Sequence, residues 1–177
     1  MLKALFFTVL TIGLSAAYLL TTGHAEPLPE GARAPTDAVL DQDGKPFDLA
    51  AAYKKGLTLV YFYPKADTPG CTKQACSLRD EYGAITKAGI NIIGVSMDKP
   101  EAQKAFQEKY KRPFPLLADH DGKIVAGFGV SASGLGPLKF SKRQSFLVKQ
   151  GKIVWADPDV SPATHTAKVL EAAAKLK

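Results

Sequence analysis

Cysteine is scarce in this chain of 177 residues: there are two, Cys71 and Cys76. A framework of several disulfides is therefore excluded. No Cys-x-x-Cys or His-x-x-x-His spacing occurs, and His24, His120 and His165 are scattered, so no metal site has a ligand set in sequence. His120 in a turn and His165 at a helix start read as solvated or capping residues. No serine-centred elbow supplies a triad nucleophile. Gly134-x-Gly136 lacks the strand, turn and helix of a dinucleotide loop and reads as a flexible loop. The basic pairs Lys54-Lys55 and Lys142-Arg143 are not interleaved with aromatic residues, and the formal charge of +6 is spread along the sequence. That is a solvated basic surface, not a nucleic-acid footprint. Repeats and low-complexity segments are missing too.

The first 25 residues differ from the rest. Lys3 gives a positive start, Ala4 to Leu20 runs apolar without charge, and small residues precede Glu26. This is the layout of a secretory signal cleaved after Ala25, with an uncleaved membrane anchor as the alternative. Both readings place the remainder outside the cytoplasm, and its length suits one domain and not two. The organisation expected is an export segment over 1–25, an extended lead-in over 26–34 and one domain over 35–177. In an oxidising compartment a cysteine pair is ordinarily a structural disulfide.

Ala38 to Leu40 and Pro46-Phe47 read as a hairpin turning on Asp43-Gly44. Leu57–Phe62 and Ile90–Ser96 are apolar runs of strands buried on both faces. Lys73 to Lys87 carries helical spacing, and Asp98-Lys99-Pro100 opens a helix through Tyr110 with Asp98 as its cap. Phe114 to Ala118 is a short strand, Ile124 to Phe128 a short helix, and Ser131 to Lys139 a loop. Ser145–Val148 and Ile153–Trp155 flank a second hairpin, and His165 to Leu176 is a final helix. The order predicts an α/β domain of thioredoxin-like arrangement, a mixed central sheet flanked by helices with an extra N-terminal β-hairpin.

Cys71 falls where the loop after a buried strand becomes a helix. Unpaired N–H groups and the helix dipole favour thiolate over thiol there. Thr68, three residues earlier, can face the sulfur or cap the helix, and Asp67 is an equal candidate for the cap. Cys76 lies five residues on in the same helix, which sets the two Cα atoms about 8–9 Å apart. A disulfide needs about 7 Å or less. The pair is thus no static bridge while the helix is intact. It is a redox-cycling pair or two separate thiols. A copper carrier is disfavoured by the lack of a nearby histidine, and a disulfide carrier by the long spacing.

Pro64-Lys-Ala-Asp-Thr68-Pro-Gly-Cys71 resembles the Pro-x-x-x-Thr-x-x-Cys signature of peroxiredoxins. Its continuation through Cys76-Ser-Leu-Arg-Asp80 resembles the bacterioferritin comigratory protein, or peroxiredoxin Q, branch. Leu116-Leu-Ala-Asp119 and Arg143-Gln-Ser-Phe-Leu-Val148 match further, so the resemblance covers roughly Pro35 to the C-terminus. It implies a thiol peroxidase in which Cys71 is the peroxidatic nucleophile and Cys76 the resolving thiol, joined as an intramolecular disulfide after local unfolding. It implies that Thr68 orients the hydroperoxide, Pro64 shields the sulfur from water, and Arg143 stabilises thiolate and departing oxygen. Without it, Arg143 would pass as an edge-strand surface charge. Arg79 and Asp80 read as a structural charge pair, and Gln74 is unassigned. No cofactor or metal is required. The implied partners are a hydroperoxide and a thioredoxin-like reductant, with no nucleic acid, a membrane only if the leader is retained, and a monomer or weak dimer. The export signal departs from a branch that is largely cytoplasmic, and leaves the electron donor open.

Overall fold

The computed structural model describes residues 26–135 and 138–176. The export segment expected over 1–25 lies outside them. The chain runs β1 (Val39–Asp41), β2 (Pro46–Phe47), α1 (Leu49–Lys54), β3 (Leu57–Phe62), α2 (Pro69–Asp80) and α3 (Tyr82–Lys87). It continues through β4 (Ile90–Ser96), α4 (Pro100–Lys109), β5 (Leu116–Ala118), α5 (Lys123–Gly127), β6 (Ala132–Ser133) and β7 (Phe140–Ser141). It ends with β8 (Ser145–Lys149), β9 (Lys152–Asp157) and α6 (His165–Lys175).

Seven strands form one sheet in the order β2-β1-β5-β4-β3-β8-β9. β3 pairs parallel with β4, and β4 with β5, while β1, β8 and β9 join antiparallel. This is the expected mixed sheet with its added hairpin. Alternation along β3 divides the core in two. Val60 and Phe62 face a cluster with Tyr53 of α1 and Phe128 after α5, and Leu59 and Tyr61 face one with α2, α4 and α6. Both faces are covered, which is why the central strands are apolar throughout. The Phe62, Phe128 and Phe146 rings meet at 4.9–5.9 Å between centroids, two pairs edge-on and one tilted, a packing that fixes the sheet against the end of α5.

Several elements differ from expectation. The helix expected from Lys73 begins at Pro69 and breaks at Glu81, so α2 and α3 are separate. α1 was not visible in the pattern because it is only six residues long and half of them are alanine; Asp48 caps it by accepting from Ala51 N at 2.9 Å. Asp98 does not cap α4. Its carboxylate accepts instead from Ala66 N at 2.7 Å and from the Ser96 hydroxyl at 2.7 Å, tying the loop after β3 to the end of β4. Part of the Ser131–Lys139 loop pairs, as β6 with β7. Asp119 is buried and receives the N–H groups of Ile124 and Val125 at 3.1 and 2.7 Å, which starts α5.

Candidate active site

α2 opens with Pro69 in its first turn, so one of the unpaired N–H groups of a helix start is absent from the outset. Thr68 occupies the cap position with extended backbone, but its side chain makes no capping bond. Its hydroxyl donates to Lys65 O at 3.1 Å. That bond commits the hydroxyl proton and leaves the oxygen free to accept an incoming O–H. Asp67 is not the cap either. It sits at φ 58°, and its carboxylate takes Lys109 Nζ at 2.7 Å and Tyr110 Oη at 2.7 Å. Those bonds, the lysine's first, hold the Asp67 carboxyl below its usual range.

Cys71, the third residue of α2, is 1% exposed, and Arg143 Nη2 donates to its Sγ at 3.3 Å. Arg143 is half-buried and stands two residues before β8. β8 lies between β3 and β9, so Arg143 leads into an interior strand and not an edge strand. Gly70 makes the approach feasible: a Cβ there would lie 3.2 Å from Arg143 Nη2. Cys71 and Arg143 are 72 residues apart in sequence, and the β3–β8 pairing brings their segments together.

The guanidinium is held from behind. Arg143 Nη1 donates to Gln74 Oε1, and Gln74 Nε2 lies 3.1 Å from His165 Nδ1. His165 Nε2 is 2.8 Å from Ser145 Oγ. Because a guanidinium only donates, the amide oxygen must face it, so the amide nitrogen donates to Nδ1. The imidazole proton is then on Nε2 and goes to Ser145. His165 is fully buried, which corrects its reading as a solvated or capping residue. Burial holds its pKa at about 4, against an attraction to Asp157 and with repulsion from Arg143 and Lys168. It is a neutral acceptor and donor at ordinary pH.

Cys76 is half-buried, and both cysteines are free thiols. α2 is unbroken between them, so the helical separation argued above applies. Pro64 follows β3 and lines a groove of about 620 Å³ with Lys65, Met97 and Phe140. Arg79 and Asp80 do pair, at 2.7 Å, largely in solvent, and Arg79 Nη1 also donates to Tyr110 O at 2.9 Å. The geometry therefore brings Arg143 onto the Cys71 sulfur, with Gln74 bonded to the other side of the guanidinium. Gln74 and His165 are the members that sequence left unassigned or misread. A buried polar pair across 91 residues leaves no local signal.

The chain is similar in sequence and fold to several known proteins. The model of the AhpC/TSA family matches residues 31–156. A protein of Mycobacterium tuberculosis named as a peroxiredoxin is 40% identical over 146 residues, 80% of this chain and 92% of its own length. Chloroplastic peroxiredoxin Q of Sedum lineare is 37% identical over 150 residues, 84% of this chain and 79% of its own. Among solved structures, peroxidoxin BcpB from Mycobacterium tuberculosis superposes with a TM-score of 0.78 at 30% identity, covering 84% of this chain and 97% of that one. The bacterioferritin comigratory protein of Xanthomonas campestris, solved in a study of its alkyl peroxide reduction, gives 0.74 at 27% identity, covering 84% and 99%.

Two outcomes follow from the geometry. Gly70→Ala pushes the Arg143 tip away by tenths of an ångström while adding a better helix former, so peroxide reactivity of Cys71 falls about tenfold with thermal stability kept or raised. Stopped-flow rates and a melting curve check both. His165 takes up a proton near pH 6.5 in the unfolded chain but near pH 4 in the folded one. The unfolded state therefore binds more protons between those values, and stability falls as pH drops from 6.5 to 4, by on the order of 3 kcal/mol. Urea unfolding across this range should show the loss in the wild type and a flatter profile in His165→Leu.

Proposed function

The chain belongs to the AhpC/TSA family and is a peroxiredoxin, and from that premise we propose that Cys71 reduces hydroperoxides and Cys76 resolves the product. The observation that carries this is the Arg143 guanidinium 3.3 Å from the sulfur of a buried cysteine in the first turn of a helix. The thiolate attacks one peroxide oxygen. The S–O bond forms as the O–O bond breaks, sulfur is oxidised to sulfenic acid, and the departing oxygen takes a proton and leaves as water or alcohol. Arg143 offsets negative charge first on sulfur and then on the departing oxygen. Thr68 accepts the O–H of the substrate through the lone pairs left free by its bond to Lys65 O. Pro64 stands beside this loop as an apolar shield against water.

Cys76 then displaces the hydroxyl from the Cys71 sulfenic acid, releasing water and forming an intramolecular disulfide. The start of α2 opens for this step. A thioredoxin-like dithiol supplies two electrons and two protons to restore both thiols. No metal or organic cofactor takes part in any of these steps. The reading includes export: the leader over residues 1–25 is removed, the protein works outside the cytoplasm as a monomer or weak dimer, and the reductant is an exported thioredoxin-like protein.

Cys71→Ser lowers peroxide consumption to that of an ordinary thiol. Cys76→Ser consumes one equivalent of peroxide and then stalls as a sulfenic acid or acquires an external thiol. Quenched samples analysed by mass spectrometry distinguish these states, and unchanged turnover in Cys76→Ser would remove it from the cycle. Mass spectrometry of the native N-terminus is expected to find Glu26 first. An intact leader in a membrane fraction selects the anchored form, and an intact leader in the cytoplasm overturns export.

A further inference from the structure

The chain of bonds behind Arg143 ends on α6, an element with no part in the chemistry above. We propose that His165 is a positioning residue, which fixes Gln74 and through it holds the Arg143 guanidinium on the Cys71 sulfur. The inference rests on the peroxidase reading of Cys71. Every link is a named bond. Ser145 Oγ and His165 Nε2 are 2.8 Å apart, Gln74 Nε2 and His165 Nδ1 are 3.1 Å apart, and Gln74 Oε1 accepts from Arg143 Nη1. Gln74, Ser145 and His165 are all buried, so water cannot replace a lost partner cheaply.

The direction of each bond matters. Ser145 is the first residue of β8, and Arg143 precedes it by two. His165 therefore bridges the backbone that carries Arg143 and the helix that carries Cys71. If the imidazole is removed, the Gln74 amide can rotate, and its NH₂ then faces a guanidinium that cannot accept. Arg143 loses its fixed angle on the sulfur. The Ser77 and Thr166 hydroxyls add a second tie between α2 and α6, at 2.8 Å. It leaves α2 docked when the first tie is cut, so the effect of His165 is on aim and not on docking.

The same bond has the opposite effect on the second half-reaction. Gln74 lies between Cys71 and Cys76, and the helix turn that contains it has to unwind before the two sulfurs meet. The His165–Gln74 bond breaks in that event. His165 thus speeds the attack on peroxide and slows disulfide formation.

The test measures the two half-reactions separately. In a Cys76→Ser background, where resolution is absent, His165→Leu is expected to slow hydrogen peroxide consumption by about tenfold to a hundredfold. His165→Asn, which keeps an acceptor toward Gln74, recovers part of the loss. In an Arg143→Ala background the His165→Leu substitution has no further effect, because the residue it acts through is gone. With Cys76 present, His165→Leu forms the disulfide faster after one equivalent of peroxide. Equal losses with and without Arg143, or an unchanged peroxide step, overturn the proposal, as does a disulfide step that slows. If His165→Leu does not fold, Ser145→Ala removes the partner of Nε2 and must slow the peroxide step in the same sense; no slowing overturns it. Failure of Cys76 as the resolving thiol shows as unchanged turnover in Cys76→Ser, and leaves the peroxide arm readable.

Discussion

The contact between Arg143 Nη2 and Cys71 Sγ, at 3.3 Å, is the interaction that the surrounding structure serves. A full negative charge on the sulfur at that range would gain about 5 kcal/mol at an effective dielectric near 20, but only about 1 kcal/mol in water. The half-buried setting of Arg143 therefore decides its value. The Arg79–Asp80 pair is shorter, at 2.7 Å, yet its side chains are 32% and 63% exposed, and such pairs contribute about 0–1 kcal/mol. Bond length does not rank the charges here. Exposure does. The fold supplies the setting by inserting β8 between β3 and β9, so that the segment ahead of β8 passes over the start of α2 where Gly70 leaves room.

That contact also creates a conflict. It holds Cys71 in an intact helix, and an intact helix keeps a residue five places on at a distance a disulfide cannot span. The anchors of α2 are distributed accordingly. Its start has no side-chain cap, and the strap from Asp67 to Lys109 and Tyr110 lies at the surface. Farther along, Ser77 is tied to α6 and Ala75 and Leu78 are buried in the core, so the Gln74–His165 bond is the buried tie that opening has to break. Local opening draws on the least anchored end of an element, which here is the end that carries the peroxidatic sulfur.

How much of this was legible in sequence depends on the distance over which each feature is determined. β3 and β4 were plain, since strands covered on both faces must be apolar along their whole length. Cys71 and Thr68 were plain too, because a helix start is a local feature. The ends of α2 were less so. Pro69 reads as a loop residue but serves as the first turn, and nothing in the periodicity marks the break at Glu81. Asp98 looked like a cap because its type and place suited one, while its carboxylate was taken by Ala66 and Ser96. His165 failed most fully. A histidine at a helix start is ordinarily wet, and its burial is decided by Gln74 and Ser145, which are 91 and 20 residues away.

The chemical type of those two residues bears on the whole site. Arg143 needs a partner to fix its orientation, and a carboxylate would be the stronger one. A carboxylate would also neutralise the guanidinium and weaken its attraction for a thiolate. Gln74 accepts the same hydrogen bond with no charge of its own. The amide must then be oriented by a group that is equally neutral, because a second cation would repel Arg143 and an anion would again offset it. A buried imidazole, kept uncharged by burial with its pKa near 4, meets that requirement. The positive charge of Arg143 is thereby held in place by neutral dipoles and left directed at the sulfur.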